Sequence, residues 1–211
     1  MNYACLIFDL DGTLSDPKSG ITKSINYALK SHNYDEISPD DLEFCIGPPL
    51  DFSFKTLTKR EDSNHIDSLV SAYRERYASK GYKENVLYDG IKDILFEFKD
   101  KNIRMGVCTS KPERFARPIL EMFGLMECFE FLSGGDVGIE KSSQLKRLLT
   151  ENYICQNSIM IGDRKHDVIA AKENGLPSAG VLWGYGTEEE IVSHKPNTIL
   201  AHVSNLQNLL L

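Results

Sequence analysis

The chain has no Cys-x-x-Cys pair, no excess of basic residues and no apolar run near the ~20 residues of a membrane span. Each absence closes off a class of function. Five cysteines (Cys5, Cys45, Cys108, Cys128, Cys155) are an odd number among mostly apolar neighbours, which disfavours a zinc site and predicts buried, reduced thiols. A formal net charge of −7 argues against broad nucleic-acid binding, because phosphate backbones attract basic surfaces. The N-terminal residues lack a basic start followed by a long apolar stretch and a small-residue cleavage site. No secretory signal or membrane partner is therefore expected, and a cytoplasmic protein is.

What is present is ordinary in amount and informative in arrangement. With 211 residues, 41% hydrophobic and 26% charged, the chain can bury a sizeable core as one large domain or two small ones. No internal repeat or low-complexity stretch interrupts it. Apolar Cys5 to Phe8 can form a buried parallel strand, and Gly12 lets the chain leave it in a conformation most residues resist. Asp9 and Asp11 then stand at the strand's carboxyl end, where open α/β sheets hold their ligands. Acidic residues and glycine after a strand also make plain turns. Matching partners downstream decide between the two readings.

From Thr13 to about Asn85 the pattern is helical. Ile21, Ile25, Ala28 and Leu29 share a face, Ser38-Pro39 reads as a helix start, and Leu57 extends a further helix. Ile66, Leu69, Val70, Tyr73 and Tyr77 recur at helical spacing until Gly81 stops them, and this stripe reads as core packing. From Val86 onward helix and strand alternate. A helix over 91–98 follows an Asp89 cap; strands are predicted at 103–108, 129–132, 159–161, 179–182 and 198–200. Helices are predicted at 113–123, 143–149, 167–173 and 188–193, with Pro118 expected to kink the first of these. Repeated β-α units imply an α/β fold, a Rossmann-like parallel sheet with helices on both faces. The first strand belongs to that sheet, although an all-helical insertion separates the two in sequence. The expected division is a core of residues 1–14 and 86–211 and a helical unit of residues 15–85.

Leu6-Ile7-Phe8-Asp9-Leu10-Asp11-Gly12-Thr13 resembles motif I of the haloacid dehalogenase superfamily, most of whose members transfer phosphoryl groups through an aspartyl-phosphate. Ile159-Met160-Ile161-Gly162-Asp163-Arg164-Lys165-His166-Asp167 resembles its motif IV, Gly-Asp-x-x-x-Asp. Val107-Cys108-Thr109-Ser110-Lys111 resembles motif II, where a strand ends in Thr or Ser. The resemblance spans the chain. It implies that the helical insertion is the small cap of the phosphoglycolate-phosphatase-like and 5′-nucleotidase-like branch. In that branch a segment similar to Phe44-Cys45-Ile46-Gly47-Pro48-Pro49-Leu50 faces the substrate, though Gly-Pro-Pro also makes a rigid turn unaided. Gly180-Val181-Leu182-Trp183-Gly184-Tyr185-Gly186 is similar to the loop that shapes the site's rim.

The chemistry fits those residue types. A carboxylate is already ionised at neutral pH, so Asp9 needs no general base to attack phosphorus, but a phosphate dianion repels it. Positive side chains and a divalent cation must offset that repulsion, and Mg²⁺ prefers hard oxygen ligands. The resemblance assigns Asp9, Asp11, Asp163 and Asp167 to the metal, and Thr109, Ser110 and Lys111 to substrate binding, with a solvated lysine as the alternative reading of Lys111. It makes Lys141 the motif III cation, with Lys146 and Arg147 as fallbacks. Many relatives carry Pro after that lysine, whereas this chain reads Gly138-Ile139-Glu140-Lys141-Ser142-Ser143. Asp11 would protonate the leaving oxygen and then take a proton from water. Its pKa should be raised by its surroundings. His166 is read as solvated, since Mg²⁺ favours oxygen over imidazole.

The expectation is a Mg²⁺-dependent phosphatase acting on a small phosphorylated metabolite such as phosphoglycolate or a 5′-nucleotide, as monomer or homodimer. Dehalogenation is disfavoured because that branch has no acid at the position of Asp11. A sugar-phosphate mutase, or a sensor that binds a phosphorylated ligand without turnover, are the competing readings.

Overall fold

Cys5–Phe8 forms strand β1, with all four side chains fully buried. The computed structural model describes residues 3–135 and 139–210. In it β1 pairs in parallel with β4 (Met105–Pro112) on one edge and β6 (Ser158–Gly162) on the other. Successive strand residues point to opposite faces. A strand with no exposed residue must therefore be covered on both.

The six-stranded sheet has the order β5-β4-β1-β6-β7-β8, where β5 is Phe131–Gly135, β7 is Ser178–Val181 and β8 is Thr198–Leu200. All its pairings are parallel. Each strand after β4 is reached through a helix: α5 (Glu113–Phe123), α6 (Lys141–Thr150), α7 (Lys165–Glu173) and α8 (Glu188–Ser193). A further helix, α4 (Ile91–Asp100), precedes β4. Cys5, Ile7 and Met160 of the sheet pack with Leu145 and Leu148 of α6 and Ala170 and Ala171 of α7 in one buried cluster. This is the Rossmann-like parallel architecture with flanking helices that alternation of strand and helix predicts.

Chain packing separates residues 17–86 from a unit made of residues 1–16 and 87–211. The smaller unit is built on α1 (Lys18–Ser31), α2 (Leu50–Thr58) and α3 (Ser63–Ser79). Its apolar stripe is buried, and Tyr73 and Tyr77, one turn apart on α3, stack with ring centroids 5.5 Å apart. Asp62 caps α3 by accepting the His65 N–H at 2.7 Å. Arg76 of α3 pairs with Glu84 at 2.9 Å. Two-residue strands β2 (Ser15–Asp16) and β3 (Val86–Leu87), at the chain's two crossings, pair with each other.

Several local expectations are corrected. Ser38-Pro39 starts no α-helix: Asn26 grips the backbone of Ile37 through both its amide atoms, at 2.7 and 3.0 Å, and only a short 3-10 turn at Glu43–Cys45 follows. A cap signal without an apolar stripe behind it has nothing to bury. Gly90, at φ 83°, rather than Asp89, stands at the N-cap of α4. Cys155 is exposed, while the other four cysteines are buried as free thiols. Pro118 lies inside α5.

Gly106 of β4 faces Ile7 on one side and Phe131 on the other, and a Cβ there would lie 2.1 Å from the tip of the Phe131 ring. Gly106→Ala should therefore lower stability by about 1–3 kcal/mol through overpacking. The measurement is a lower urea midpoint at unchanged slope. Phe131→Leu in the same chain should recover part of the loss.

Candidate active site

Parallel strands deliver their last residues to one edge of a sheet, and the chemically active side chains collect there. Asp9 follows β1 and Asp163 follows β6, while Asp167 comes from the first turn of α7 and Lys141 opens α6. All four are buried. One oxygen from each of Asp9, Asp163 and Asp167 lies within 4.8 Å of the others. Lys141 Nζ stands 3.0 Å from Asp9 Oδ1 and also pairs with Asp167.

The remaining lone pairs are held by the loops. Asp167 Oδ2 accepts the Arg164 backbone N–H at 3.0 Å. Asp163 accepts the Thr13 hydroxyl at Oδ1 (3.2 Å) and the Tyr185 backbone N–H at Oδ2 (2.8 Å). Gly12 adopts φ 85°, and a Cβ there would sit 2.2 Å from Asp163 Oδ2. Only glycine meets both conditions, so the turn after Asp11 can close against Asp163.

Three carboxylates face one ammonium, and the imbalance is visible in their protonation. Burial, with the charges of Asp167 and Asp9 added, pushes Asp163 up from 3.8 to about 7. Burial likewise raises Asp167 to about 6 against the pull of Lys141. Burial alone would lower Lys141, but Asp167 and Asp9 reverse that and keep it charged. Among the described residues, Asp11 Oδ1 is a buried oxygen without a hydrogen-bond partner, whereas Asp9 Oδ1 faces the Lys141 ammonium at 3.0 Å. An all-oxygen donor set of three carboxylates, offset by one ammonium, fits a hard divalent cation such as Mg²⁺.

The other candidates sort by distance. Lys111 is buried rather than solvated, with Nζ 2.5 Å from Asp11 Oδ2. Asp11, expected among the metal ligands, therefore turns its carboxylate to Lys111 and falls outside the group of three oxygens. Burial raises its pKa, and Lys111 opposes the rise. Thr109 is buried in β4, where its Oγ1 accepts the Lys111 N–H at 3.2 Å, and Ser110 is exposed. The strand register shifts between Thr109 and Pro112, which frees this stretch from regular pairing. His166 is exposed, and partial desolvation of its ring, with Arg164 and Lys165 nearby, lowers its pKa. Lys146 and Arg147 are exposed on α6. Gly138 of the Lys141 segment lies outside the described residues.

Four residues here were not singled out for a role by sequence. Gln144, one turn after Lys141 and buried, donates to the Thr109 carbonyl at 3.2 Å. Its i, i+3 spacing from Lys141 was the available signal. Thr13 lies inside motif I, and Trp183 and Tyr185 alternate with glycines after a predicted strand, yet which partners they meet depends on loop geometry.

Residues 6–181 match the haloacid dehalogenase-like hydrolase family. A 5′-nucleotidase of Pseudomonas aeruginosa is 36% identical over 100% of this chain and 96% of its own. Tyrosine-protein kinase PtkA of Mycobacterium tuberculosis is 31% identical, covering 97% of this chain and 70% of its own. A phosphoglycolate phosphatase of Colwellia psychrerythraea is 29% identical over 90% and 89%. Among solved structures, a protein of Clostridium difficile described as a candidate phosphatase superposes with TM-score 0.93 at 39% identity, covering 100% of both chains.

The raised carboxyls carry a pH prediction. Folded Asp163 retains a proton that the unfolded chain has released at its ordinary 3.8, so stability falls as pH climbs from there through about 7. In chelator, the thermal midpoint should decline across that window. Asp163→Asn, which has no proton to lose, should flatten the decline, and an unchanged slope would refute the assignment.

Proposed function

The chain belongs to the haloacid dehalogenase-like hydrolases, and we propose that within them it is a Mg²⁺-dependent phosphatase of small phosphomonoesters of the 5′-nucleotide or phosphoglycolate type. The observation that carries this reading is Lys141, buried between Asp9 and Asp167 beside Asp163, one cation among three carboxylates. Such a site is short of positive charge until a divalent cation arrives, and only with that cation bound can it accept an anionic phosphoryl group.

Asp9, Asp163 and Asp167 would hold Mg²⁺, whose charge offsets that of the phosphate as nucleophile and substrate approach. The Asp9 carboxylate attacks phosphorus, the ester P–O bond breaks, and an acyl-phosphate forms on Asp9. Asp11, whose pKa burial raises, is placed to act as the acid that passes a proton to the departing oxygen. Lys141, charged and immobilised, stabilises the negative charge that accumulates next to Asp9. Thr109 Oγ1 already accepts the Lys111 N–H, so its hydroxyl proton can be given to a phosphoryl oxygen. Asp11 then takes a proton from the attacking water, the bond from Asp9 to phosphorus breaks, and inorganic phosphate is released.

The relative named as a tyrosine kinase favours a second reading, transfer to a protein hydroxyl in place of water. Incubation with Mg²⁺, a tyrosine-containing protein, a hexose phosphate and a panel of 5′-nucleotides, phosphoglycolate and an aryl phosphate distinguishes them. Release of inorganic phosphate supports hydrolysis; phosphotyrosine without release supports transfer to protein, sugar-bound phosphate a mutase, and binding without turnover a sensor.

Asp9→Asn should abolish phosphate release with the fold intact, and more than about a tenth of wild-type turnover would exclude this nucleophile. Lys141→Ala should lose about a hundredfold or more in rate. Exhaustive chelation should remove activity and Mg²⁺ restore it. Asp11→Asn should harm alkyl phosphates, whose alkoxides are basic, more than activated aryl phosphates; equal losses would count against its acid role.

A further inference from the structure

Segment 183–186, just past β7, is fastened to Asp163 from several directions at once. The Tyr185 backbone N–H donates to Asp163 Oδ2 at 2.8 Å, and the Trp183 indole Nε1–H donates at 2.9 Å to the carbonyl of Thr13. Thr13 in turn donates its hydroxyl to Asp163 Oδ1 at 3.2 Å. The Tyr185 hydroxyl donates to the carboxylate of Asp16, the residue at which the chain leaves the larger unit. Between these anchors the backbone passes in direct contact: a Cβ on Gly184 would lie 2.4 Å from Asp163 Cβ, and one on Gly186 1.9 Å from the Asp163 carbonyl oxygen.

The consequence concerns where the Asp163 carboxylate points. Its two oxygens accept donors on different sides, so rotating it about the Cβ–Cγ bond would break both hydrogen bonds. One of those donors is a backbone N–H, which stays in place only while the loop does. Trp183 and Tyr185 hold the loop through side-chain hydrogen bonds to the Thr13 carbonyl and the Asp16 carboxylate.

We infer that Trp183 and Tyr185 are positioning residues: the loop they anchor aims the Asp163 carboxylate and thereby sets the affinity of the acid cluster for a divalent cation. This rests on the reading of Asp9, Asp163 and Asp167 as a Mg²⁺ site. Residues that orient metal ligands without touching the metal commonly change affinity by about 10–100-fold when removed.

Tyr185→Phe keeps the ring and the backbone N–H and loses one hydroxyl; Asp16→Ala loses its acceptor. Mg²⁺ affinity is measured by calorimetry on the full chain, and by the emission of Trp183, its single tryptophan. The expected result is a dissociation constant about tenfold weaker in each variant and no weaker in the double variant, since the two share one hydrogen bond. The Mg²⁺-dependent change in Trp183 emission should need correspondingly more cation. Trp183→Phe, read by calorimetry alone, should weaken binding similarly and serves where Asp16→Ala fails to fold. Wild-type affinity in Tyr185→Phe and Trp183→Phe overturns the inference, as do losses that add in the double variant. No Mg²⁺ binding by the wild-type chain overturns the reading of the acid cluster itself, and this inference with it.

Discussion

Placing three carboxylates around one ammonium in a nearly dry site is the constraint on which the molecule's larger unit is organised. Taking charges out of water costs several kcal/mol per ion, and proximity returns that only where geometry and hydrogen bonding are complete. Here the supports come from four separate places. Strand β1 brings Asp9, the β6–α7 turn brings Asp163 and Asp167, α6 brings Lys141, and the loop after β7 supplies the Tyr185 N–H. A flaw in any of them leaves a buried charge unmatched. Burial and the neighbouring carboxylates push Asp163 up to about 7, so the single ammonium does not offset the cluster's charge.

How the fold was legible in the sequence follows from how local each signal was. Cys5–Phe8 is apolar throughout and ends at Asp9, and Glu113–Phe123 and Glu188–Ser193 have sharp ends, so their bounds agree with those read from sequence. The start of β4 was placed two residues early and its end four residues short, because the register shift past Thr109 carries strand into Lys111 and Pro112. Ser38-Pro39 misled for the opposite reason: the local capping chemistry is there, but the side chain that decides the conformation is Asn26, on another element.

The candidate site divides in the same way. Asp9, Asp163 and Asp167 occur in short motifs at strand ends, so sequence order already put them on one edge. The position of Lys141 rested on resemblance, and its burial against Asp9 and Asp167 is a fact of how α6 meets α7. Lys111 showed the limit from the other side. Its solvated alternative was reasonable for a lysine at a strand end, and only the fold reveals Asp11 2.5 Å away. The contacts of Gln144, Trp183 and Tyr185 run between elements far apart in the chain, and no window of sequence contains both partners.

Strand β1 also shapes how the molecule comes into being. Leu6 pairs with Met105 on one side and Ile159 on the other, so the first strand synthesised waits for partners about a hundred and about a hundred and fifty residues later. At ordinary translation rates the second partner follows roughly ten to thirty seconds behind the first residues. During that interval Cys-Leu-Ile-Phe is an apolar segment whose two strand partners have not yet been made. Non-local pairing of this kind slows folding and exposes sticky edges to other chains. The geometry that gives Asp9 its central position thus also makes β1 the strand whose pairing is completed last relative to its own synthesis.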